Sequence, residues 1–323
     1  MPSHFPIVFG AGSFGLPGPK SNGARIHSVE QAQELVNCYM RHGYRHIDTA
    51  RLYGGGTSEE FIGQMDIGNC IVDTKVYPGQ HGDFSAAGIR ASLMESLKAL
   101  AKHKIRTFYL HSPDRTVPIE DTLRAINELY DEGHFEQFGM SNYSAWEVAE
   151  IMGIVTRNNW VKPSVYQGGY NAIERTVEVE LFPCLRHFGI KFFAYSPLAG
   201  GLLAGKMLSE EDMLKRAGGR WDPKVSHMAP HLQAQYAPML PVVRELKEAL
   251  EKQGLRLPEV AQRWLQHHSA LQPGDAVIVG AASVEQLEKN ILDCEGGPLS
   301  DEVVELMEKT WHGVKAFAPH YAS

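Results

Sequence analysis

At 323 residues the chain has room for one large domain or two ordinary ones, and its 43% apolar content is that of a soluble globular protein. The formal charge of −7, from 31 basic and 38 acidic residues of interspersed sign, argues against a nucleic-acid groove or an anionic membrane surface as the main partner. Four scattered cysteines (Cys38, Cys70, Cys184 and Cys294) form no C-x-x-C. Neither a metal site nor a disulfide framework is therefore expected, and a reducing compartment fits.

The opening M-P-S-H-F-P-I-V-F-G lacks the basic and apolar regions of a signal peptide. No apolar run approaches the ~18 residues of a spanning helix. The expectation is a cytoplasmic protein that acts on small molecules, with a homodimer left open.

A first strand is predicted at 6–10. It runs into G-A-G-S-F-G at 10–15, which has the G-x-G-x-x-G spacing. Pro17, Gly18, Pro19 and Gly23 stand where a dinucleotide-binding helix should open, so the stretch reads as a loop. Helix 28–42 and strand 44–48 follow, then helix 57–65 and strand 69–76. In helix 85–101, Ile89, Leu93, Leu97 and Leu100 recur at helical spacing, and strand 105–111 comes next. Helix 118–132, strand 135–141, helix 143–156, strand 163–167 and helix 175–187 continue the alternation. Strand 190–195 reads I-K-F-F-A-Y, a nearly continuous apolar run of the kind that buried parallel strands show. A long segment, about 196–235, has no clear periodicity. Helix 236–268, strand 276–280, helix 283–293 and a tail of about 312–323 complete the chain.

Eight strand–helix alternations predict an α/β fold with a parallel sheet, closed as a barrel or open and doubly wound. Eight units without a linker or composition break favour a (β/α)8 TIM barrel spanning 1–323 as a single domain. In such a barrel, chemistry belongs at the C-terminal ends of the strands. Asp48, Lys75, His111, Ser141, Asn142 and Gln167 fall there, with Tyr53 in the loop after the second strand. A phenol, with a reference pKa near ~10, needs a neighbouring cation to give up its proton more readily. A lysine can be that cation, and an aspartate can keep it charged and aimed. An imidazole can orient a carbonyl oxygen and stabilise charge developing on it. The four residues would protonate an alkoxide formed by hydride addition, and a hydride donor must come from a cofactor.

D-T-A-R-L-Y-G at 48–54, D-T-K-V at 73–76, F-Y-L-H-S-P-D at 108–114 and G-M-S-N-Y at 139–143 resemble the aldo-keto reductase superfamily. Y-Q-G-G-Y-N-A at 166–172, E-L-F-P-C-L-R-H-F-G-I at 180–190 and A-Y-S-P-L-A-G-G-L-L-A-G-K at 194–206 are similar to its aflatoxin-aldehyde reductase group. The resemblance implies a (β/α)8 barrel that binds NADPH without a dinucleotide fingerprint. It also implies a catalytic tetrad of Asp48, Tyr53, Lys75 and His111, with Tyr53 as proton donor.

By the same resemblance Ser141, Asn142 and Gln167 bond the nicotinamide carboxamide, and Tyr195 stacks on its ring. The glycine-rich stretch after Tyr195 suits a strap over the pyrophosphate, with Ser196, Leu198 and Gly201 in contact and Lys206 and Arg220 near the phosphates. The helix after the last strand would take the adenosine 2′-phosphate at its N-terminus, near Gly280, Ser283, Gln286 and Asn290. Better-known branches carry arginine where Gln286 stands and lysine where Gly280 stands, so the positive charge falls to Lys206 and Arg220.

The substrate pocket is expected from Phe14, Leu52, Tyr77 and Ser112. Trp221, Phe317 and Tyr321 serve as aromatic lids or as packing residues. Animal members of the group end in an arginine that pairs with a substrate carboxylate, whereas this chain ends H-Y-A-S. A carboxylate-bearing substrate then depends on Arg51 or Arg220, and a broader or different aldehyde or ketone is expected. The alternatives are an NADPH-holding regulatory subunit with slow turnover, or the same chemistry run toward alcohol oxidation.

Overall fold

The computed structural model describes residues 3–18, 21, 23–209, 211–212, 221–224, 226 and 229–323. Strands β1 (Ile7–Gly10), β2 (His46–Asp48), β3 (Ile71–Val76), β4 (Ile105–Leu110), β5 (Phe135–Ser141), β6 (Pro163–Gly169), β7 (Lys191–Tyr195) and β8 (Ala276–Val279) form a closed barrel in sequence order. Every pairing is parallel, and β1 closes on β8 with Phe9 beside Val279. The helices between them are α1 (Val29–Arg41), α2 (Thr57–Gln64), α3 (Ala86–Leu100), α4 (Ile119–Asp131), α5 (Ala145–Asn158) and α6 (Leu181–Phe188). After β7 come α7 (Ala229–Tyr236), α8 (Leu240–Glu251) and α9 (Leu257–His267), and after β8 come α10 (Val284–Cys294) and α11 (Asp301–Val314).

Apolar stripes decide these elements. In α3 the stripe Ile89, Leu93 and Leu100 is fully buried against the barrel, and Ser85 caps the helix by accepting from the Gly88 N–H. α5 opens with a capping box: the Ser144 side chain takes an N3 backbone N–H while Glu147 takes the Ser144 N–H. The expected helix 236–268 is two helices, because the chain turns at Gly254, whose φ of 71° is left-handed. α7 lies inside the segment expected to lack regular structure, and α11 was not among the sequence-predicted helices. Its inward residues Val303, Met307, Thr310 and Val314 recur at helical spacing, so the signal was present in the sequence and was not read. No helix of the described residues is long and apolar enough to cross a membrane.

Barrel closure between β7 and β8 rests on Asp275, which is 1% exposed. It accepts two bonds from Arg186 of α6, at 3.0 and 2.5 Å, one from the Phe192 N–H at 2.8 Å and one from the Gln272 N–H at 2.8 Å. Removing the carboxylate leaves a guanidinium and two N–H groups without their acceptor. Asp275→Ala is expected to destabilise the fold by about 2–4 kcal/mol, read as a lowered urea midpoint with an unchanged far-UV spectrum before the transition.

Candidate active site

Parallel strands bring their C-terminal ends to one mouth. Asp48 ends β2, Lys75 lies one residue from the end of β3, His111 follows β4, Ser141 ends β5, and Tyr195 ends β7. Lys75 is completely buried and Asp48 is 2% exposed. The lysine Nζ donates to Asp48 Oδ2 at 2.7 Å and to the Thr49 carbonyl at 2.8 Å. The other aspartate oxygen accepts from Gln167 Nε2 at 2.8 Å. Burial works against the Lys75 charge, but the anions of Asp48 and Asp73 and the neighbouring Tyr53 outweigh it and hold its pKa above the ordinary value. The ammonium stands 5.1 Å from the centre of the Tyr53 ring.

His111 meets Tyr53 edge-on, with ring centres 5.8 Å apart, and meets Tyr77 in the same way at 5.5 Å. Burial, and then the Lys75 charge, push its pKa down to about 3, so the imidazole is neutral. Its Nδ1 is buried and has no hydrogen-bond partner. A buried polar atom left open at a barrel mouth is an opening for a ligand atom. The structure thus brings together the four residues of the expected tetrad.

The three glycines after Tyr53 all adopt left-handed backbone, at φ 59°, 64° and 99°. A Cβ at Gly54 would lie 2.7 Å from the Gly15 Cα and 2.8 Å from the Phe14 carbonyl. The loop after β1 and the Tyr53 loop therefore touch backbone to backbone, which explains Gly15 without any dinucleotide role. Arg51 turns back over the same loop and pairs with the buried Glu59, Nη1 to Oε2 at 2.7 Å.

A second polar layer lies below the tetrad and was not anticipated from sequence. Asp73, fully buried, meets His46 Nε2 at 2.7 Å and accepts from the Tyr109 hydroxyl at 3.3 Å and the Thr107 N–H at 3.1 Å. A Cβ at Gly139 would lie 2.4 Å from the Tyr109 ring, so that glycine seats the tyrosine. The available signal was the alternation D-T-K in β3, which points Asp73 and Lys75 to the same face.

Asn142 adopts a left-handed φ of 64° just past β5. Its Nδ2 donates to the His111 carbonyl at 2.8 Å and to Ser141 Oγ at 2.9 Å, and its Oδ1 accepts from the Tyr195 hydroxyl at 2.9 Å. Ser141, Asn142, Gln167 and Tyr195 thus form one polar patch beside the tetrad. Past β7, Ser196 (φ 56°) and Ala199 (φ 49°) are also left-handed without being glycine, a strain that gathers at functional mouths. Leu198 starts a 3-10 turn, its carbonyl accepting from the Gly201 N–H at 2.8 Å. Lys206 is exposed and lines a cleft of about 520 Å³ with Gly205, Arg244 and Lys247, and no tetrad residue lines that cleft. Arg220 lies outside the described residues.

At the start of α10, Ser283 Oγ accepts from the Gln286 N–H at 3.2 Å, and Gln286 Oε1 accepts from the Ala282 N–H at 2.9 Å. Asn290 Nδ2 donates to the Gly280 carbonyl at 3.2 Å. The four residues expected around a 2′-phosphate are neighbours, with Ser283 and Gln286 engaged in capping the helix.

The expected pocket residues divide. Leu52 and Tyr77 are 38% and 43% exposed and form an apolar rim. Ser112 Oγ lies 2.7 Å from Ser323 Oγ, which brings the tail to the mouth. Tyr321 pins that tail, its hydroxyl accepting from the Ala145 N–H at 3.0 Å and donating to Glu180 at 2.8 Å. Trp221 is buried against Tyr236 and donates to the Gly200 carbonyl at 2.8 Å. Phe14 is fully buried and packs on Phe9 within the core. Among the described residues, no group of three or more His, Cys, Asp or Glu side chains is arranged to hold a metal ion.

Comparison with known proteins identifies the family. The model of the aldo/keto reductase family matches residues 6–312. An aldo-keto reductase of Pseudocercospora fijiensis is 39% identical over 89% of this chain and 100% of its own length. The aldo-keto reductase pigE of Monascus ruber is 37% identical over 99% of this chain and 98% of its own. Aflatoxin B1 aldehyde reductase member 2 of Mus musculus is 40% identical over 94% of this chain and 86% of its own. With the barrel, the strand-end residues and these relatives in agreement, the chain belongs to the aldo/keto reductase family and is an oxidoreductase of carbonyl compounds.

Proposed function

We propose that this protein reduces aldehydes or ketones to alcohols with NADPH, and that Tyr53 donates the proton. The observation that carries the reading is the buried Lys75 cation, held by Asp48 at 2.7 Å and standing against the Tyr53 ring beside a neutral His111. The residues at the mouth fit a nicotinamide cofactor: hydroxyl and amide groups of Ser141, Asn142 and Gln167, an aromatic ring at Tyr195, and the open Nδ1 of His111. When bound, the reduced nicotinamide supplies a hydride.

The protein's own groups do the rest. As negative charge grows on the substrate oxygen, Tyr53 gives it a proton, and the phenolate left behind faces Lys75. Asp48 keeps the ammonium charged and fixes its direction. Neutral His111 retains one ring N–H, a hydrogen-bond donor for the carbonyl oxygen that does not compete with Tyr53 as an acid. The Leu52–Tyr77 rim excludes water on the substrate side. Arg51 is committed to Glu59 and is not at hand for a substrate carboxylate, which supports a broader aldehyde or ketone range. The 2′-phosphate of NADPH would be held by Ser283, Gln286, Asn290 and the N-terminus of α10, with Lys206 and Arg220 adding charge. The four free cysteines suit the cytoplasm.

Tyr53→Phe is expected to lower turnover of an aldehyde and ketone panel by about 10²–10⁴-fold, with NADPH binding retained in fluorescence titration. Full turnover with cofactor bound would overturn the assignment.

His111 yields a second prediction, about pH. Its folded pKa, about 3, lies below the ordinary value of about 6.5. Between these limits the unfolded chain binds a proton that the folded chain does not, so stability falls as pH falls through this window. The urea midpoint should drop from pH 7 to pH 5 by less in His111→Gln than in wild type. In wild type, ¹⁵N spectra should report a neutral imidazole at position 111 at pH 5.

A further inference from the structure

The proton device leaves one part of the Tyr53 loop unexplained. Arg51 stands two residues before the phenol, with a side chain 20% exposed, and points neither to solvent nor to the mouth. Its guanidinium crosses the loop at Gly56, where a Cβ would lie 1.4 Å from Nη2. On the far side it meets Glu59, fully buried in the first turn of α2. The other Glu59 oxygen accepts from the Thr74 hydroxyl at 2.5 Å, and Thr74 precedes Lys75 on β3. The Arg51 N–H itself donates to the Lys75 carbonyl at 3.0 Å. The loop carrying the phenol is thus tied twice to the strand carrying the ammonium.

Such ties matter because three consecutive glycines give a backbone with unusual freedom. The ionic form of Glu59 depends on these ties. Burial pushes the Glu59 carboxyl up, against the Thr74 bond and the Arg51 charge, and Glu59 also feels the charge of Lys75. Without Arg51 burial would favour the neutral carboxyl, and the phenol loop would lose its ionic tie to α2.

We infer that Arg51 is a positioning residue for Tyr53: seated on the bare backbone of Gly56 and paired with Glu59, it fixes the phenol loop against β3. The inference rests on the reading of Tyr53 as proton donor. A misplacement of about 1 Å costs on the order of 10²-fold in rate, which sets the scale of the effect.

The test uses the full chain with NADPH and the best aldehyde of the panel. Arg51→Met, Arg51→Lys and Gly56→Ala are each made alone, and Arg51→Met is also made in the Tyr53→Phe background. Arg51→Met should lower kcat by about 10–100-fold while KM and the NADPH dissociation constant stay within about threefold. Arg51→Lys should recover part of the loss, because it keeps the charge but not the planar fork. Gly56→Ala should lose at least as much as Arg51→Met, since its methyl occupies the guanidinium seat and a φ of 99° is uphill for alanine. In Tyr53→Phe, removing Arg51 should change the residual rate by less than about twofold, because the group being positioned is already gone.

A wild-type kcat in Arg51→Met overturns the inference. So does an equal loss in both backgrounds, or a loss of NADPH binding in parallel with kcat, either of which marks a general structural role. A Tyr53→Phe enzyme at full speed overturns the proton-donor reading itself, and the inference with it, whereas a slow Tyr53→Phe beside a fast Arg51→Met removes only the clamp.

Discussion

A lysine ammonium with no exposed surface is the constraint around which this barrel mouth is organised. Taking a cation out of water is costly, and attraction to one anion repays it only when geometry is good and the remaining bonds are made. Asp48 supplies the anion and the Thr49 carbonyl a second acceptor, while Gln167 orients the aspartate from across the barrel. Asp73, two residues earlier on the same strand face, adds a further anion and is itself held by His46, Tyr109 and the Thr107 N–H. Parallel strands make the arrangement possible. In register, Asp48 lies beside Asp73, Lys75 beside Tyr109, and Ser141 beside Gln167, so polar groups distant in sequence become lateral neighbours. The cation then acts on two rings at once. It faces the Tyr53 phenol and helps hold His111 neutral.

The backbone around the mouth is as constrained as the charges. Left-handed residues follow β2 (Gly54, Gly55, Gly56), β5 (Asn142) and β7 (Ser196, Ala199, Gly200, Gly201). For asparagine, serine and alanine this conformation is uphill, and surrounding bonds must hold it. Asn142 is held by three side-chain bonds, to Ser141, Tyr195 and the His111 carbonyl. One bent residue thereby couples β4, β5 and β7 at the polar patch beside the tetrad. Catalytic geometry and backbone strain share the same bonds, so neither is adjustable alone.

Much of the fold was legible because the strand and helix periods are clean: the eight strands fall where apolar runs fall, and α3 follows its leucine stripe. The site was legible where a residue type is unusual for its position, as with an aspartate, a lysine and a histidine at successive strand ends. What escaped had no local signature. Nothing in T-S-E-E distinguishes Glu59, which is buried, from Glu60, which is exposed. Only the packing of α2 on the barrel decides between them. Arg51 offered itself as an anchor for a substrate carboxylate because its true partner lies eight residues on, across a glycine whose missing side chain is the seat. α11 is the exception: Val303, Met307, Thr310 and Val314 recur at helical spacing behind an acidic first turn, a local signal that went unread. Trp221 and Tyr321 are placed by hydrogen bonds to backbone groups, which residue identity does not announce.

The same logic accounts for the long excursion between β7 and α8. Its two ends meet at one buried carboxylate. Glu174 accepts from the Tyr236 hydroxyl at 2.8 Å and Gln235 Nε2 at 2.7 Å, both from the end of α7. It also accepts from Asn171 Nδ2 at 2.5 Å, and the same Nδ2 donates to the Ser196 carbonyl at 3.0 Å. Closing a loop costs entropy that grows only slowly with its length, so a long excursion is cheap to keep once its ends are fixed. Burial pushes the Glu174 carboxyl up, opposed by bonds from Asn171, Tyr236 and Gln235. Those three neutral donors let the carboxylate tie the loop without a cationic partner. Ser196 directly follows Tyr195, so the anchor of the excursion is one peptide bond from the ring in the polar patch. The two ends of that excursion and the placement of that ring therefore rest on the same buried group.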